Sequence, residues 1–190
     1  MATQTSTFRL TSAAPLLLHN GQTADPLNKF SKSLKQVSSK RAKTDADFEE
    51  MARIEWYASL YADKGRVCLP GEVLEAALAT GARKLKLGKQ AQATLYVAQN
   101  ALLNFEGHDL TIDELWKRDT NRFTVGVRVG TSKVMRTRFR VDEWSCDVGV
   151  AFDDTMLNPA QVADIVGVTG AQIGLCDWRP KFGRFTAAML

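Results

Sequence analysis

Two spacings of apolar residues divide the chain into strands and helices. Phe8, Leu10 and Ser12 alternate with Arg9 and Thr11 before three leucines, which predicts a first strand over residues 8–18, with Pro15 marking an edge or a bulge. His19-Asn20-Gly21 is a turn signal. Phe30, Leu34 and Val37 then recur at helical spacing, and a second helical pattern runs from Thr44 to Tyr61 with Phe48, Met51, Ile54 and Leu60 as its stripe. Val67 to Leu69 reads as a short extended piece, followed by a helix from Glu72 to about Leu87 carrying Val73, Ala76, Ala77 and Leu78. Residues 93–97 and 102–105 read as short strands, and Thr111-Ile112-Asp113-Glu114 opens a short helix bearing Trp116. Val125, Val127 and Val129 alternate with Gly126, Arg128 and Gly130, then comes a Thr-Ser-Lys turn. Met135, Thr137, Phe139 and Val141 face one way and Arg136, Arg138 and Arg140 the other. Asp142-Glu143 reads as a tight turn into a second alternating strand, Trp144 to Phe152, so that the two strands form a hairpin. Asn158-Pro159 starts a helix with Val162, Ile165, Val166 and Val168 inside. A short run, Phe182 to Leu190, closes the chain.

Without insertions the order is strand, helix, strand, strand, helix, strand. This predicts an α+β fold of the ferredoxin-like βαββαβ type, the arrangement also used by RNA-recognition modules. Residues 1–190 read as one domain, with a helical insertion at 22–65, a second insertion at 90–122 and a β-hairpin extension.

Charge sharpens this picture only locally. A net charge of +4 and a pI near 9.0 permit a polyanionic partner without requiring one. Lys29, Lys32, Lys35, Lys40, Arg41 and Lys43 run without an intervening acid, which suits a basic helix face. Arg83, Lys84 and Lys86 close the best helix, where they complement its dipole. The three arginines of the alternating strand stand on one face with no acid among them, so they repel one another unless an anion lies along them. With Arg128 before the turn and Lys133 within it, Arg136, Arg138 and Arg140 are candidate nucleic-acid contacts. A second group lies in the stretch Ile173 to Phe185, where Gly174 and Gly183 bracket Trp178, Arg179, Lys181 and Arg184. Glycine permits close backbone approach, Arg and Lys bind phosphates, and Trp178 is either a stacking face for a base or a lid on the core. Arg179 is the first choice for a phosphate contact, and the final strand is expected in the same sheet as the arginine hairpin, around one polyanion path.

Catalytic chemistry is sparse. No P-loop and no paired His–Cys metal spacing occurs, and there are two histidines. No metal and no cofactor is expected. Cys68, Cys146 and Cys176 are widely spaced and odd in number, which argues for a reduced, cytoplasmic setting. No apolar run reaches membrane-spanning length, and the first twenty residues lack the pattern of a signal peptide.

Three blocks carry a family resemblance. Ile173-Gly174, Arg179 and Phe182-Gly183-Arg184-Phe185 resemble the glycine-rich loop of the RAMP superfamily, the RNA-binding proteins of CRISPR effector complexes, with Leu175 and Pro180 standing where that loop usually has glycine. Cys68-Leu69-Pro70-Gly71-Glu72-Val73-Leu74 is similar to the family's helix start, and Leu16-Leu17-Leu18-His19-Asn20-Gly21 to the end of its first strand. Within the superfamily, the backbone subunit that polymerises along guide RNA is most similar. The resemblance implies a protein that coats single-stranded RNA, or single-stranded DNA, alongside copies of itself in head-to-tail order and other effector-complex subunits. It also implies a hairpin over the neighbouring subunit and a role in antiviral defence or in a mobile element. Some members are endoribonucleases using a histidine early in the fold, which His19 would match, and certain backbone subunits cut with an aspartate after the first strand, for which Asp25 is the one candidate. A third reading is a structural or assembly protein using the fold for protein contacts alone.

Overall fold

The apolar and polar patterns resolve into a mixed α+β protein in a computed structural model that describes residues 3–190, Val129 by its backbone alone. Among the described residues there are six α-helices and three small antiparallel sheets. In chain order the elements are β1 (Thr3–Ser12), β2 (Leu16–Leu17), α1 (Lys29–Ser38), α2 (Asp45–Ser59), β3 (Ala62–Asp63), β4 (Arg66–Leu69) and α3 (Gly71–Lys84). There follow α4 (Gly88–Thr94), β5 (Ala101–Leu102), α5 (Ile112–Trp116), β6 (Arg122–Val129), β7 (Ser132–Val141), β8 (Ser145–Asp153), α6 (Pro159–Val168) and β9 (Phe185–Met189). They divide between two compact units: Met1–Leu17, Ala62–Asp109 and Val141–Leu190 form one, and Leu18–Tyr61 with Leu110–Arg140 the other. No helix among the described residues is long and apolar enough to cross a membrane.

The first unit is built on the antiparallel sheet β8-β1-β9. Period two puts Phe8 and Leu10 of β1 on the same face as Val148 and Val150 of β8, and all four are buried. Leu74 and Leu78 of α3 and Val166 of α6 line the same core. The two helices cross closely: a Cβ placed on Gly81 would lie 2.1 Å from the Thr169 hydroxyl, which itself donates to the Ile165 carbonyl at 2.7 Å. α6 begins where the sequence signals it, with an Asn158–Gln161 capping box and Pro159 in the first turn. Antiparallel bridges Tyr96↔Ala151 and Asn104↔Ser145 lie along β8, and β3, β4 and β5 make a small separate sheet.

Four expectations change. β1 starts at Thr3 rather than Phe8. Residues Thr3 to Thr7 carry no apolar signal, yet β-branched threonine suits an extended chain and every residue from Thr3 to Thr11 has a partner in β8. Residues 93–97 are not a strand throughout, because Lys89-Gln90-Ala91-Gln92-Ala93 are good helix formers and α4 runs to Thr94. β7 and β8 do not form a hairpin with each other: β8 pairs with β1, and β7 pairs with β6. The final strand β9 joins β1 in the sheet of β8, so it does not share a sheet with the arginine strand.

The second unit holds α1, α2, α5 and the β6–β7 hairpin. Asn28 caps α1 through the Phe30 amide, and Thr44 and Asp47 form a reciprocal capping box on α2. The hairpin pairs from Arg122↔Phe139 to Val129↔Ser132 around a turn at Gly130 with φ +60°. Trp56 of α2 anchors the unit's core. It is fully buried, its ring lies 5.4 Å from Trp116 and 5.7 Å from Phe139 in edge contacts, and its Nε1–H donates to the Asn121 carbonyl at 2.7 Å.

Candidate nucleic-acid interface

The glycine-rich loop lies in the first unit, and its glycines have a reason inside the protein. Gly174 and Gly183 adopt φ of +75° and +73°, a region that disfavours other residues. The loop closes on itself: the Leu175 amide donates to the Gly183 carbonyl at 2.9 Å, and the Gly183 amide to Pro15 at 2.7 Å. A Cβ on Gly183 would lie 2.1 Å from the Leu175 carbonyl oxygen, and one on Gly174 2.7 Å from that of Phe182. The close approach these glycines allow is therefore between two passes of the same chain.

That closure decides where the side chains go. Phe182 and Phe185 turn inside, while Arg179, Lys181 and Arg184 are exposed. Strand begins only at Phe185, so Lys181 and Arg184 precede it, and both are outside. These three cations form no ion pair among the described residues. Trp178 is half-buried at φ +51°, its ring 5.9 Å from that of Phe182.

The arginine strand, in the second unit, has the predicted alternation, with Thr137 and Phe139 buried and Arg136, Arg138 and Arg140 half-buried between them. The guanidinium row is nevertheless engaged. Arg136 Nη1 donates to Glu55 Oε1 at 2.5 Å, and the Thr137 amide donates to the other oxygen of the same carboxylate at 3.0 Å. The Arg140 guanidinium sits 5.5 Å from the centroid of the Phe123 ring. Burial, and then repulsion from Arg136, lower the pKa of Arg138, while Glu55 opposes the shift. At the hairpin tip the exposed Arg128 pairs with the exposed Lys133 across the ladder.

Sequence reasoning missed Glu55. The acid absent from the strand comes from α2, where Phe48, Met51, Ala52 and Glu55 follow helical spacing and line one cavity. A carboxylate at the last position of an apolar stripe was the available signal.

His19 and Asp25 have different surroundings. Asp25 is exposed, and its carboxylate accepts from the Leu27 amide at 2.8 Å, a turn role. His19 instead lines a cavity of about 220 Å³ with Asn20, Glu55, Ser59, Arg136 and Arg138. Partial burial lowers the pKa of its imidazole first, and the charges of Arg138 and Arg136 lower it further. The neighbouring cavity, about 660 Å³, shares Leu34, Glu55, Arg136 and Thr137 with the first and adds Phe48, Met51, Lys133 and Met135. The structure thus brings His19, Arg136 and Arg138 together within the second unit, a grouping that linear spacing did not suggest.

Other chemistry is limited. No group of three His, Cys, Asp or Glu suited to a metal ion occurs among the described residues. Burial pushes the Cys68 thiol up to about 11 and the Cys146 and Cys176 thiols up to about 12, so none is an activated nucleophile at neutral pH. A scan against models of known protein families finds no match, and no curated protein is similar to the chain in sequence.

Proposed function

We propose that this chain binds single-stranded RNA or DNA, mainly through phosphates, as a repeating backbone subunit of a CRISPR-like or mobile-element ribonucleoprotein in the cytoplasm. The observation that carries the reading is the trio Arg179, Lys181 and Arg184, three exposed cations within six residues on a loop whose shape is fixed by its own hydrogen bonds. With the backbone already fixed, binding a polyanion has only the side chains left to order. A ferredoxin-like core is part of the proposal. The sheet β8-β1-β9, the bridges of Tyr96 and Asn104 to β8, and the positions of α3 and α6 in the chain order support it. Association with copies of itself, head to tail along the strand, follows from the same reading.

Purification without nuclease treatment tests it: the reading predicts a raised 260/280 absorbance ratio and co-purified nucleic acid. Titration with unrelated single strands is then expected to give affinities that fall steeply with salt and differ little between sequences. A flat salt response with strong sequence preference contradicts it. A mobility unaffected by nucleic acid points instead to an assembly protein. The grouping of His19 with Arg136 and Arg138 favours one second reading, an endoribonuclease, since a neutral imidazole beside guanidinium groups suits proton transfer at a phosphodiester. Labelled RNA left intact over long incubation excludes that reading.

A further inference from the structure

We propose that the paired cavities of the second unit form a site for a single nucleotide, its phosphate in the smaller cavity against Arg138 and His19 and its base in the larger one against Phe48, Met51 and Met135. The choice of ligand rests on the single-strand reading above, whereas the site itself stands on geometry in one unit. In the smaller cavity most polar groups already have partners. Asn20 donates to the Leu60 carbonyl and accepts from the Gln22 amide, and the Ser59 hydroxyl donates to Trp56 and accepts from the Phe139 amide. The Glu55 carboxylate is taken up by Arg136 and the Thr137 amide, and its side chain is only 10% exposed. The His19 imidazole has no hydrogen-bond partner among the described residues, although the His19 carbonyl accepts from Tyr61. The lining charges are two guanidinium groups against one carboxylate, a balance that favours an anion.

The larger cavity supplies what a base needs. Phe48 and Met135 are 56% and 59% exposed and line the same hollow, an apolar grouping of the kind that marks ligand grooves. Its volume lies within the roughly 300–1,000 Å³ of small-molecule sites. The Glu55–Arg136 pair belongs to both cavities, so it stands where a sugar would join phosphate to base. Lys133 lines the larger cavity, and its exposed ammonium suits the next phosphate of a strand.

His19 reports on occupancy. The charged groups lining its cavity are Arg136, Arg138 and Glu55; burial lowers the His19 pKa first and the two cations lower it further, and an arriving phosphate offsets the repulsion from the cations. The experiment follows the His19 ring resonances by NMR in the full chain during titration with adenosine monophosphate, adenosine, inorganic phosphate and a short oligonucleotide. The monophosphate is expected to move the His19 signals and to raise its pKa by about one pH unit or more. Inorganic phosphate is expected to do so more weakly, and adenosine not to raise the pKa. Phe48→Ala, at an exposed position, is expected to weaken monophosphate binding about fivefold or more while leaving inorganic phosphate unchanged. Arg138→Gln, checked for folding by circular dichroism, is expected to abolish the pKa rise. A single-stranded oligonucleotide that moves the same signals while the monophosphate also does so places one residue of a strand in the site. A monophosphate that leaves His19 unmoved overturns the inference even if long RNA binds with steep salt dependence. Loss of both responses overturns the single-strand reading as well.

Discussion

The glycine-rich loop and the arginine strand read alike in the sequence, as clusters of cations beside an aromatic residue, but they differ physically. The loop spends its glycines on closing the chain, and its cations remain exposed and without ion pairs among the described residues. The strand spends two of its arginines on packing, Arg136 held by Glu55 and Arg140 against Phe123, while the half-buried Arg138 lines the cavity of His19. Positive charge in a sequence therefore has two fates. Charge on a self-supported loop stays exposed to a partner, while charge on a sheet face is drawn into the protein where an acid or an aromatic ring opposes it.

The largest expected effect is on the loop's backbone. Gly183→Ala forces a Cβ into the Leu175 carbonyl and a side chain into a disfavoured φ, and is expected to cost about 3 kcal/mol or more. Denaturant unfolding measures this, and a stability equal to that of the parent protein means the loop does not close on itself as described. Next comes the acid behind the arginine strand. Glu55→Gln removes charge from a part-buried pair and is expected to cost about 2 kcal/mol, a fall of roughly 4–8 °C in melting temperature. The exposed Arg9–Asp147 pair sharpens that contrast, since Asp147→Asn is expected to leave the melting temperature unchanged. If the two substitutions have equal effects, burial is not what separates the strand from the surface.

A smaller effect concerns pH. The Lys40 ammonium, then the Thr44 amide, lower Asp47 to about 2, below its ordinary value of 3.8. Its folded pKa is depressed, so its contribution at the start of α2 is complete above the ordinary value and is lost as pH falls from about 4 to about 2. Thermal melts across that window are expected to be less steep in pH for Asp47→Asn than for the parent. Parallel curves contradict the assigned cap.

Much of the local structure was legible because local rules were obeyed. The α2 and α6 starts follow from Thr44 and Asn158, and the inward alternation of Thr137 and Phe139 follows from period two. What the sequence did not reveal depends on which strand neighbours which. Trp144 to Phe152 alternates cleanly, but alternation does not name its partner, and the partner is β1 rather than β7. The threonines before Phe8 carry no apolar signal, so the sequence does not mark the start of a strand held by its neighbour. The same limit applied to the site. Glu55 is far from Arg136 along the chain, and only the packing of α2 on the hairpin brings the carboxylate to the guanidinium. His19 reads as a turn residue, but the cations that, after burial, lower its pKa further arrive from β7.

The most direct test of the contrast is a salt-series titration of a fluorescent single-stranded oligonucleotide against the parent protein and Arg179→Ala/Lys181→Ala/Arg184→Ala, with thermal melts in parallel. If the loop cations contact phosphates, the triple variant loses affinity evenly across sequences. Its salt slope falls by about one for each contact removed, and its melting temperature stays that of the parent. An unchanged slope and affinity, or a loss that follows a fall in melting temperature, contradicts the claim that these cations are held ready for a polyanion.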